Sequence, residues 1–176
     1  MRNQQSTFRR ALAVVAVTVA ATGMPAVAMA ATPTASTPTA STPTASTTAA
    51  SADELTTLVT LVNEERAKAG CAAVTVNEKL TKAAQDHSQD MADHGTLSHT
   101  GSDGSSFTDR YERVGYSWST GGENIAAGYT TPESVMAGWM ASSGHKANIL
   151  NCAFEEIGVG LAQSGNYWTQ DFGTAR

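Results

Sequence analysis

Hydrophobic residues recur along this chain at spacings that predict its elements. Leu55, Leu58, Val59 and Val62 return every three or four positions, Arg66 continues the stripe, and Gly70 follows. That period predicts an amphipathic helix, opened by a capping box of Ser51 with Glu54 and stopped at the glycine. Leu80, Ala84, His87 and Met91 share one face of a second helix, capped by Asn77 and ended by Gly95. His87 therefore falls on an apolar face, where a hydrogen-bonded core histidine is expected rather than a ligand. Ser106 starts a short helix through Asp109, Arg110 and Val114. Thr131-Pro132-Glu133 puts proline at the first position of another, whose buried stripe is Val135, Met136, Trp139 and Met140. Near the end the period drops to two. Ile157, Val159 and Leu161 alternate with small residues, Gly165-Asn166 reads as a turn, and Tyr167, Trp168, Thr169 and Phe172 form an aromatic strand. The two runs predict a β-hairpin. Helices first and antiparallel strands late indicate an α+β fold rather than a βαβ sheet.

The first 52 residues lack such patterning. Arg2, Arg9 and Arg10 precede an uncharged apolar run from Ala11 to Ala21, then Pro25 and Ala28-Met29-Ala30. This order predicts a cleavable signal peptide over residues 1–30. The run is short and interrupted, so no stable membrane anchor is expected from it. Thr32 to Ser46 is TPTAS three times over. With no large apolar side chain it cannot offset chain entropy, so residues 31–52 are expected to be a disordered linker biased to polyproline II. Its Thr, Ser and Pro content also suits O-glycosylation. Residues 53–176 are left for one domain with a single core.

Composition changes the picture in two respects. Without the leader's three arginines, eight of the 11 basic residues face all 16 acidic ones, a net charge of −8. No Lys/Arg cluster occurs, which argues against nucleic acid or an anionic membrane as partner. Cys71 and Cys152 are the two cysteines of the chain. In an exported domain they read as one disulfide, closing a loop of about 80 residues worth roughly 4–5 kcal/mol as an upper figure.

Three polar residues carry candidate chemistry: His99 in LSHTG, Glu123 in GGENIA and His145 in SSGHKANIL. Each is flanked by Gly or Ser, where backbone approaches closely and side chains can face a cleft, and the imidazoles are expected on flexible loops. Two imidazoles and a carboxylate suit a divalent metal such as Zn2+ at His99 and His145, with Glu123 as a further ligand. They equally suit acid–base work, with Glu123 the candidate catalytic residue, or a hydrogen-bonded set that merely fixes loops. Spacing does not choose between these readings. Neither a G-x-S-x-G elbow nor a Walker-type glycine loop is present.

LVNEERAKAG, LSHTGSDG, GENIAAGY, GWMASSGHKANIL, FEEIGVGLA and YWTQDFG follow one another in an order that resembles the CAP superfamily of cysteine-rich secretory, antigen 5 and pathogenesis-related 1 proteins, in its small bacterial SCP-like branch. The likeness runs from about Leu55 to Thr174. It implies a CAP-type α-β-α sandwich with a central antiparallel sheet and a cleft bearing two histidines and two glutamates. His99 and His145 match the histidines and Glu123 the glutamate of the G-E-N motif. Ser142 stands where the second glutamate is expected after Trp139, so the set of four is incomplete. The resemblance implies a secreted, monomeric binding module for an extracellular ligand or cell-envelope component. A metal-assisted hydrolase and a non-catalytic adhesion module are the competing implications.

Overall fold

In a computed structural model of the chain, residues 52–176 are described. The expected leader, the TPTAS repeats and the capping Ser51 lie outside the described residues.

Helix α1 (Ala52–Lys68) begins one residue earlier than the expected domain boundary and buries Leu58, Val62 and Arg66. Strand β1 (Thr75–Val76) leads into α2 (Glu78–His94). Asn77 accepts from the backbone of Lys79 and Leu80, and Gly95 ends the helix in the left-handed region, as its place in the sequence predicts. Helix α3 (Phe107–Arg113) starts in a Ser106–Asp109 capping box. Strand β2 (Trp118–Ala126) precedes α4 (Pro132–Ala141), α5 (Ser143–Ile149), β3 (Glu156–Ala162) and β4 (Tyr167–Ala175).

The sheet order is β1-β3-β4-β2. β3–β4 and β2–β4 pair antiparallel, while the two-residue β1 pairs parallel with β3. The predicted hairpin is β3–β4, with Gly165 and Asn166 both at positive φ in its turn. β2 is an addition: its WSTGGENIA sequence has glycines where a strand normally carries side chains, so it reads as a loop. It forms because Gly121 and Gly122 let the rings of Tyr111, Phe107 and Phe154 lie against the backbone.

Alternation along the strands divides two layers. Ile157, Val159 and Leu161 join Leu58, Val62, Val135, Trp139 and Trp168 in the larger core, beneath α1 and α4. The other face of β3 presents Gly158 and Gly160, and a Cβ there would meet the backbone of Leu80 at 2.0 Å and of Ala84 at 2.5 Å. The small residues between the apolar ones are thus where α2 lies directly on the sheet. Tyr111 and Tyr116 complete a second core with Leu80 and Ala83. The result is the expected α-β-α sandwich.

The lower part of the larger core is tied by a buried cation. Arg66 Nε donates to Ala72 O, Nη1 to Ile149 O and Asn151 O, and Nη2 to Phe154 O, at 2.8–3.0 Å. The Cys71–Cys152 disulfide forms across the same junction, joining the end of α1 to the segment after α5.

Candidate functional site

The edge strand β2 positions the site because its neighbouring side chains leave on opposite faces. Glu123 turns to the α2–α3 layer and Asn124 to the α5 layer. On the first face, Glu123 Oε2 meets Arg110 Nη2 of α3 at 2.5 Å, and Glu123 Oε1 meets His99 Nδ1 at 2.7 Å. The Glu123 side chain is 1% exposed. Arg110 is held in turn by Ser105 O and His99 O. His87 Nε2 lies 3.9 Å from Glu123 Oε2 and makes its hydrogen bond to Ser98 O. His87 is thus the hydrogen-bonded core histidine expected from its face.

On the second face, Asn124 Nδ2 donates to His145 O and to Gln170 Oε1. Asn148 of α5 donates to Asn124 Oδ1 and to Glu123 O. These amides dock α5 on β2 and fix the backbone that carries His145. Glu123 is therefore on a strand, and His145 is on a helix rather than on the expected flexible loop. Only His99 keeps a loop position.

The two imidazoles share a neighbourhood. The hydrogen bond to Glu123 raises the His99 pKa against an opposing burial effect. Partial burial lowers that of His145, and the nearby His99 lowers it further. His99 is half exposed, so its ring presents an edge to solvent while Nδ1 is anchored below. Since Glu123 already serves Arg110 and His99, the donors left to face a cation are the two imidazoles. Among the described residues, no group of three or more His, Cys, Asp or Glu is arranged to hold a metal ion. That falls short of the three protein ligands of a catalytic zinc site.

Two participants escape a reading of the sequence. Arg110 looks like an ordinary helix residue, but lies at the centre of the ion pair. Asp171, opposite Glu123 in the β2–β4 register, is fully buried beside the Glu123 carboxyl and the Tyr111 hydroxyl. Burial first, then the Glu123 charge, pushes its pKa well up. A charged residue inside an aromatic strand is the available signal.

The sequence model described as "CAP: Cysteine-rich secretory protein family" matches residues 59–172. YkwD of Bacillus subtilis (strain 168) is 45% identical over 115 residues, covering 65% of this chain and 45% of that protein. The membrane protein YlbC of the same organism is 32% identical over 65% of this chain and 33% of its own length. The chain thus spans less than half the length of these relatives. Among solved structures, an extracellular SCP-domain protein from Bacillus anthracis str. Ames superposes with a TM-score of 0.66 at 29% identity, covering 69% of this chain and 40% of that one. An outer surface protein from Borrelia burgdorferi does so at 0.67 and 20% identity, over 72% and 96%, a likeness of fold.

Proposed function

The chain belongs to the cysteine-rich secretory protein (CAP) family, and from that premise we propose that it is an extracellular binding module whose ligand contacts His99 and His145 above the β2 edge. The observation that carries this reading is the commitment of Glu123. A carboxylate paired with Arg110 at 2.5 Å and with His99 at 2.7 Å orients an imidazole. It is poorly placed to take a proton from a substrate or from water. The absence of a carboxylate at Ser142 points the same way. Export fits the leader and the extracellular description of the Bacillus anthracis relative. Among the described residues, no helix is long and apolar enough to cross a membrane.

A divalent cation at His99 and His145 is the second reading. It is favoured by the carboxylate–imidazole pair, because metal-ligating histidines commonly donate their other ring N–H to a carboxylate. The fit is partial, with two imidazoles and no third protein ligand, and no chemical step is derived from it. Glu123 would act here as the orienting group. Titrating zinc into the protein by calorimetry tests this, with His99→Ala and His145→Ala as comparisons. Heats unchanged in both variants remove the metal. Turnover of a peptide, ester or cell-wall substrate that disappears in Glu123→Gln would overturn the binding reading in favour of a hydrolase.

A further inference from the structure

Two adjoining cavities, of about 310 and 450 Å³, open where α3 ends and β2 begins. Both sizes fall within the range of small-molecule sites. They share Gly115, Tyr116, Ser117 and Arg176 as lining residues; the smaller adds Glu112 and Trp118, and the larger reaches Glu78 and Lys79 on α2. His87, His99, Arg110, Glu123 and His145 line neither. The polar groups of the floor are spent within the fold. The Tyr116 hydroxyl donates to Glu156 Oε2 at 2.6 Å, Lys79 Nζ to Gly115 O at 2.8 Å and the Arg176 backbone N–H to Ser117 O at 3.0 Å.

The side chains around the smaller cavity are not spent. Glu112 and Arg176 are exposed, carry opposite charges and line the same space, yet among the described residues neither side chain forms an ion pair or a hydrogen bond. Trp118 differs from the other two tryptophans. Trp139 Nε1–H and Trp168 Nε1–H donate to the carbonyls of Ile125 and Tyr129. Trp118 is half-buried against the second core and gives its indole N–H to no group of the protein. One cavity thus presents a carboxylate, a guanidinium and an aromatic surface, all uncommitted. These groups select by charge. An anion is drawn to Arg176 and repelled by Glu112, and a cation the reverse. A neutral sugar can lie on the indole but leaves both charges without a counter-charge. A zwitterion matches both: its carboxylate accepts from the guanidinium fork, its ammonium donates to Glu112, and an apolar side chain covers the indole.

We propose that this cavity binds a small zwitterion, a free apolar amino acid or a dipeptide, with its carboxylate on Arg176, its ammonium on Glu112 and its side chain against Trp118. The adjoining cavity leaves room for a second residue. The site is separate from the His99–His145 cleft and does not depend on the reading given for it. The three indole N–H resonances of the full-length chain test it, with that of Trp118 identified by its loss in Trp118→Phe. The probes are L-leucine, leucyl-leucine, leucinamide and N-acetylleucine. Leucine or leucyl-leucine should shift the Trp118 signal saturably and leave those of Trp139 and Trp168 in place; the tighter of the two decides between amino acid and peptide. Leucinamide lacks the carboxylate and N-acetylleucine the ammonium, so each should bind at least about threefold more weakly, the size of an exposed ion pair. Arg176→Gln should remove the discrimination against leucinamide, and Glu112→Gln that against N-acetylleucine. Equal binding of all four probes, preferences unchanged in the variants, or a Trp118 signal that no probe moves overturns the proposal. A saturable shift with maltose alone also overturns it, in favour of a sugar site.

Discussion

At one end of the fold, the guanidinium of Arg66 is surrounded by the carbonyls of Ala72, Ile149, Asn151 and Phe154, beside a disulfide. At the other, Arg110 shares Glu123 with His99, beside the buried Asp171, and its Nε has no protein partner. Both arginines are buried. Around Arg66 every nitrogen has a carbonyl acceptor. Around Arg110, its own Nε and His87 Nδ1 have no protein partner. A carbonyl cage at one pole and an incompletely paired cluster at the other separate anchorage from the candidate site.

The contrast yields variants of opposite sign. Arg66→Met should be the most damaging, because it removes the donors to four carbonyls at once, and only Asn151 O keeps another, the Phe154 N–H; about 3–5 kcal/mol of stability should be lost in denaturant unfolding. A loss below about 1 kcal/mol would mean that the carbonyl cage is incidental. Cys71→Ser with Cys152→Ser should cost about 2–5 kcal/mol in the same measurement. At the other pole, Asp171→Asn should stabilise the protein at neutral pH, by about 1–2 kcal/mol, because it removes a carboxyl whose ionised form is disfavoured by burial and by the Glu123 charge. A lowered melting temperature would show that the carboxyl is needed as it stands.

The smallest effect is that of pH. His99 has a raised folded pKa, so its contribution is fully present below the unfolded value of about 6.5 and is lost as pH rises through the folded one. His87 and His145 have lowered folded values, so theirs is present above about 6.5 and lost as pH falls through the folded ones. The stability difference between the protein and its His99→Gln variant should therefore be greatest in mild acid and fade at alkaline pH. The opposite trend would mean that Glu123 does not hold His99 in solution.

Most of the frame is written in short stretches of sequence. Local signals suffice for α2, whose Asn77 and Gly95 cap the helix within a few residues of the groups they satisfy. They suffice also for the β3–β4 turn and for a disulfide between the two cysteines. The ordered motifs single out His99, Glu123 and His145. What those residues face depends on long-range packing. β2 is illegible in the sequence because its glycines are explained only by rings from α3 and the loop before β3. Arg110 and Asp171 escape notice because their partner, Glu123, is 13 positions away for one and 48 for the other, and no local period links them. A cap or a turn satisfies its polar groups among adjacent residues and can be read from a short window. A buried ion pair between a helix and a strand exists only once folding has excluded water from both.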